Sequence, residues 1–163
     1  MKKALILITA VIALCAVSSC KKEPVNEHPL EGVWGLTYME SSATHADPAM
    51  QSHSTKQEYD PFHPTTGNDC KLVCKWKSGD EYDTTPYQWD VENNTWKDTG
   101  IRYSLAIDGN KLLQTMDGTT RETGTISLQT DAFTIVSTYQ SIDINSGEIL
   151  STITVKETFK KME

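Results

Sequence analysis

The sequence predicts an all-β fold: a single antiparallel up-and-down barrel of about eight strands, with a long loop after the first strand. Three observations predict it. Apolar and polar residues alternate in short runs from residue 30 onward, as half-buried strands require. Turn-forming clusters such as Asp108-Gly109-Asn110, Asp117-Gly118 and Asn145-Ser146-Gly147 separate those runs. No stretch in this part of the chain carries a convincing helical period. Sequential hairpins without long crossovers favour a meander, and closing a meander removes its exposed edges.

The first strand lies in LEGVWGLTYMES, residues 30–41, where Trp34, Leu36 and Tyr38 alternate with Val33, Gly35, Thr37 and Met39. The pattern then stops. Residues 42–69 are rich in Ser, Thr, His, Asp and Pro, and Pro48, Pro61 and Pro64 argue against long regular elements. A loop of this length in a compact domain is often a lid or a binding segment. Alternation returns in CKLVCKW, with Cys70, Leu72, Cys74 and Trp76 on one face. YQWDV places Tyr87, Trp89 and Val91 together, and Trp96 begins the return after the turn at 92–95. IRYSLAI points Ile101, Tyr103, Leu105 and Ile107 inward, and KLLQTM and RETGTISLQ follow across tight turns. AFTIVSTYQSI aligns Phe133, Ile135 and Tyr139. The last strand, EILSTITVKETFK, turns Ile149, Ile153, Val155 and Phe159 inward.

The amino terminus has a different character. Met1-Lys2-Lys3 is positive, and residues 4–17 are apolar apart from one threonine. That run is short of the roughly twenty residues of a membrane span, and it suits the apolar core of a secretory signal. Ser18-Ser19-Cys20 closes it, and this border resembles a bacterial lipoprotein signal. The resemblance implies cleavage before Cys20, a diacylglycerol on its thiol and acylation of the new amino terminus. The plainer alternative is an ordinary signal with an incidental cysteine. The expected organisation is a signal peptide at 1–19, a lipidated cysteine and flexible leash at 20–29 (CKKEPVNEHP), and a barrel domain at 30–163. The expected location is the bacterial cell envelope, lipid-anchored at the outer membrane, with the periplasmic or surface face left open.

Without Lys2 and Lys3, thirteen Lys+Arg stand against 22 Asp+Glu, a formal charge of about −9. Such a chain repels nucleic acid and gains nothing from anionic lipid, so attachment to the membrane falls to the acyl chains. Cys15 leaves with the signal and Cys20 is lipidated, which leaves Cys70 and Cys74. On one straight strand these lie roughly 13 Å apart, beyond the roughly 7 Å that a disulfide spans. Free, buried thiols are therefore favoured over a bridge.

Leu30-Glu31-Gly32-Val33-Trp34 resembles the Gly-x-Trp opening of lipocalins. IRYSLAIDGNKLL, TISLQTDAFTIVSTY and TITVKETFKK are similar to the later hairpins of small lipocalin-like lipoproteins of Bacteroidetes. The likeness covers roughly residues 30–160. It implies an eight-stranded barrel with Trp34 closing its base. The long 42–69 insertion departs from that pattern, although it falls where lipocalins often carry a lid.

The candidate ligand-binding residues are the expected barrel-interior set Trp34, Leu36, Tyr38, Trp76, Trp89, Tyr103, Phe133 and Tyr139. Each is also an ordinary core residue in the blander reading. Tyr87, Trp89 and Trp96 form an aromatic group that could line a pocket or, on a surface, stack on sugar rings. His45, His53 and His63 lie in the long loop with Asp47, Asp60 and Asp69, at spacings that match no metal signature, so no metal is expected. No Gly-x-Ser-x-Gly, His-Glu-x-x-His or phosphate loop is present, and neither catalysis nor a cofactor is expected. The expected partners are the membrane, through the N-terminal lipid, and a small hydrophobic ligand in the barrel. A protein or glycan partner of a filled barrel is the alternative.

Overall fold

The computed structural model describes residues 28–162. The expected signal peptide, Cys20 and most of the leash lie outside the described residues. Ten strands are present among them: β1 (Gly32–His45), β2 (His53–Glu58), β3 (Cys70–Ser78), β4 (Glu81–Asp90), β5 (Thr95–Asp98), β6 (Tyr103–Asp108), β7 (Lys111–Met116), β8 (Thr119–Leu128), β9 (Ala132–Ile142) and β10 (Ile149–Lys161). Eight of them, β1, β3, β4 and β6 to β10, pair antiparallel in turn, and β10 returns to β1 to close the barrel. The predicted architecture is therefore the observed one. β2 and β5 are extra strands on the outside of the ring, paired to β1 and β4.

The turns follow from the residues in them. Between β7 and β8, Asp117 and Gly118 both take positive φ, 50° and 74°. That is the backbone a two-residue hairpin needs, and Asp-Gly adopts it cheaply. The closing seam is long: β1 and β10 pair from Trp34↔Lys161 to His45↔Ser151. The two ends of the described chain thus lie side by side, and the Met162 N–H donates to the Val33 carbonyl at 2.8 Å.

At this end the barrel is packed shut. Leu30, Trp34, Tyr82 and Phe133 are almost completely buried. The Trp34 indole N–H donates to the Leu30 carbonyl at 2.7 Å. Phe133 meets the Trp34 ring edge-on at 5.0 Å and stacks on Phe159 at 4.9 Å. Lys161 Nζ lies 5.6 Å from the Trp34 ring centre, a cation–π contact that seals the seam.

Residues 42–69 are more ordered than their composition predicts. β2 pairs with β1 from Tyr38↔Glu58 to Ala43↔His53. Its sequence, HSTKQE, is exposed throughout, so neither face needs apolar residues and the alternation signal is missing. The Tyr59 N–H continues the pairing to the Thr37 carbonyl at 2.9 Å. Pro61 is fully buried against Gly35. Asp69 is buried as well, and its Oδ2 accepts from the Thr65 and Thr66 N–H groups at 2.9 and 2.7 Å. Pro61 and Asp69 thus anchor the otherwise largely exposed last third of the segment.

One edge of β1 is divided. β3 pairs with Gly32–Gly35 and β2 with Tyr38–Ala43. Beyond β3, the far halves of β9, β10 and β1 continue with β2 as a four-stranded extension of one wall.

Candidate functional site

The barrel interior is layered. Above the packed floor, Leu72, Leu105, Leu112, Ile135 and Phe159 form an apolar ring. Above that ring a cavity of about 270 Å³ opens to solvent, with Cys70, Pro86, Tyr103, Gln114, Thr123, Ser137, Tyr139 and Glu157 around it. Its lower wall is hydrocarbon and its rim is polar. That is the usual build of a small-molecule site.

Strand alternation sets which side chains reach the cavity. On β10, Phe159 points inward, so Glu157 two residues earlier does too, with Ile135 opposite it on β9 and Met39 on β1. On β3, Cys70, Leu72 and Cys74 share the inner face, as predicted. Both cysteines are free thiols. Burial pushes each thiol up to about 11, aided at Cys70 by the nearby Glu157 charge, so neither is a reactive thiolate at neutral pH. Burial also raises the Tyr103 phenol well above its usual range. Glu157 is raised too, by burial: among the described residues no hydrogen bond or ion pair counters it.

Of the eight residues expected to line the interior, Tyr103 and Tyr139 line the cavity. Tyr139 does so from the rim and is 56% exposed. Trp34, Leu36 and Phe133 are inward but belong to the packed core beneath. The other three require correction. Tyr38 sits on the outer face, because a bulge between Leu36 and Tyr38 reverses the alternation. Its hydroxyl donates to Glu40 Oε2 at 3.0 Å, and Lys56 bridges to Glu40 from β2. Trp76 lies beyond the floor, 44% exposed, stacked on His28 at 4.2 Å. Trp89 is outward because Tyr82 and Thr84 on the same strand are inward.

Trp89 instead joins Trp96, 5.3 Å away and edge-on. Lys71 Nζ lies 5.4 Å from the Tyr87 ring and 5.0 Å from the Trp96 ring. Beside this outer aromatic group is a surface hollow of about 540 Å³, lined by Trp89, Val91, Asp90, Glu92, Lys97 and Asp98 among others.

Compared with known proteins, the chain matches no family model, no curated protein and no solved structure.

The inward carboxylate of Glu157 is the cavity feature that the sequence reading missed. Its signal was present: it interrupts the inward series Val155, Glu157, Phe159. The structure brings His45 and His53 together across β1 and β2, ring centres 6.4 Å apart, while His63 pairs with Asp60 at 3.0 Å. No group of three or more metal-ligating side chains assembles among the described residues.

Proposed function

We propose that the protein is a non-catalytic binder of a small apolar or amphiphilic molecule, held in the open end of its barrel and tethered to the bacterial envelope by lipid on Cys20. The cavity above the packed floor carries this reading: about 270 Å³, hydrocarbon below and polar at the rim. Burying ligand hydrocarbon against Leu72, Leu105, Leu112 and Phe159 supplies affinity at roughly 25 cal/mol per Å². The rim groups orient the ligand's polar end. Among the described residues, every barrel strand and every core side chain falls within 30–162, so the chain from Pro24 to Glu163 is the unit taken for study.

Native mass spectrometry of that unit, secreted into a bacterial periplasm and purified from it, is the test. The expected result is a reproducible extra mass that organic extraction removes. A clean unliganded mass counts against the reading. It favours a second one, which the outer Tyr87, Trp89 and Trp96 support: a surface module that stacks these rings on a glycan or a protein partner.

A further inference from the structure

Among the described residues, the cavity is lined by one acid and no base. Among its lining residues Glu157 is the only carboxylate, and no Lys, Arg or His joins it. Lys156 and Lys160, its neighbours in sequence, are exposed on the other side of the strand. The titratable groups near Glu157 are the Tyr103 and Tyr59 phenols and the Cys70 thiol, all kept neutral by burial. Its carboxylate is half-withdrawn from water and, among the described residues, has no donor. A buried acid without a partner costs stability, and most proteins either satisfy it or replace it.

We propose that the cavity selects a small, mostly apolar organic cation whose primary ammonium group pairs with Glu157. The proposal rests on the ligand-binding reading above and names the ligand class. A neutral hydroxyl would satisfy one lone pair of Glu157 and leave its charge buried. An ammonium donates a hydrogen bond and neutralises the charge as well. Gln114 and the buried Ser137 in the cavity lining supply acceptors for the remaining ammonium protons. The apolar ring beneath takes the hydrocarbon. Size follows from volume: about 270 Å³ is the space of roughly nine waters at about 30 Å³ each, which suits a chain or ring of about ten heavy atoms. The net negative charge of the protein, −7 over the full chain, also draws cations toward it.

The test uses three probes of one length, octylammonium, 1-octanol and octanoate, titrated calorimetrically into the 24–163 unit and its Glu157→Gln variant at neutral pH. Octylammonium should bind about ten- to a hundredfold more tightly than octanol, the range of a charge-assisted hydrogen bond. In Glu157→Gln that preference should vanish while octanol binding persists, which also shows that the variant is folded. Equal binding of octanol and octylammonium, or a preference for octanoate, would overturn the cation inference and leave the cavity reading intact. A preference for octylammonium that survives in Glu157→Gln would overturn it too, by placing the cation elsewhere. If none of the three binds, the cavity reading falls and takes the inference with it.

Discussion

At the scale of single residues, Glu157 links stability to pH. Burial without a partner raises its pKa in the folded protein above the unfolded value. The folded state therefore holds the proton more firmly. Its contribution is fully present below the unfolded value and is lost as pH rises through the raised folded one. Glu157→Gln removes that loss. The unliganded variant should melt a few degrees above the parent at about pH 7.5, and the gap should close at about pH 3.5, where both side chains are neutral. Thermal unfolding at the two pH values checks it; an equal gap at both would show that packing, not charge, separates the variants. Cys70 and Cys74 show the opposite economy. Each is a small apolar filler, and Thr84 donates its hydroxyl proton to Cys74 Sγ at 3.7 Å.

At the scale of elements, the segment between β1 and β3 has two parts with different roles. Its tip, residues 47–51, is exposed and held by local turn contacts such as Ala49 N–H to Asp47 Oδ1 at 2.8 Å. The end of its return limb, around Pro61, packs on the barrel. A Cβ on Gly35 would clash with Pro61 Cβ and stand 2.9 Å from Met162 Sδ. Excising the tip should change stability by less than about 0.5 kcal/mol. Gly35→Ala should cost about 1–3 kcal/mol, because the proline must move off the wall. Urea denaturation of the two variants measures both. A large loss from the tip excision would make the hairpin end part of the scaffold.

The same elements show how far the sequence could be read. Alternation located the barrel strands and the inward Trp34, Tyr103, Phe133 and Phe159, because a closed barrel buries one side of every strand. It failed where geometry interrupts the period or where burial is absent. The bulge after Leu36 moved Tyr38 outside, and bulges leave little trace in residue identity. On β4 the inward residues Tyr82, Thr84 and Pro86 carry one aromatic ring against two on the outward Tyr87 and Trp89, so aromatic content points to the wrong face. β2 was invisible because water covers both its faces. The cavity itself was not legible, since a large inward side chain fills a barrel or lines one depending on its height along the axis.

At the scale of the whole molecule, the floor holds the ring together. Phe133 touches both Trp34 and Phe159, and so joins β9 to β1 and β10 across the closing seam. Phe133→Ala should cost about 3–5 kcal/mol. The loss should appear as one cooperative transition, with tryptophan fluorescence and far-ultraviolet circular dichroism moving together. Separated transitions would mean that the extension of β1, β2, β9 and β10 unfolds independently of the barrel.

The ends of the described chain also meet at that floor, on neighbouring antiparallel strands, with Trp34 opposite Lys161. A pull between them meets the seam at its first rung and loads one pair of hydrogen bonds at a time. The barrel therefore yields as a zipper, at low force and from the floor upward. The cavity would lose its base before it lost its rim.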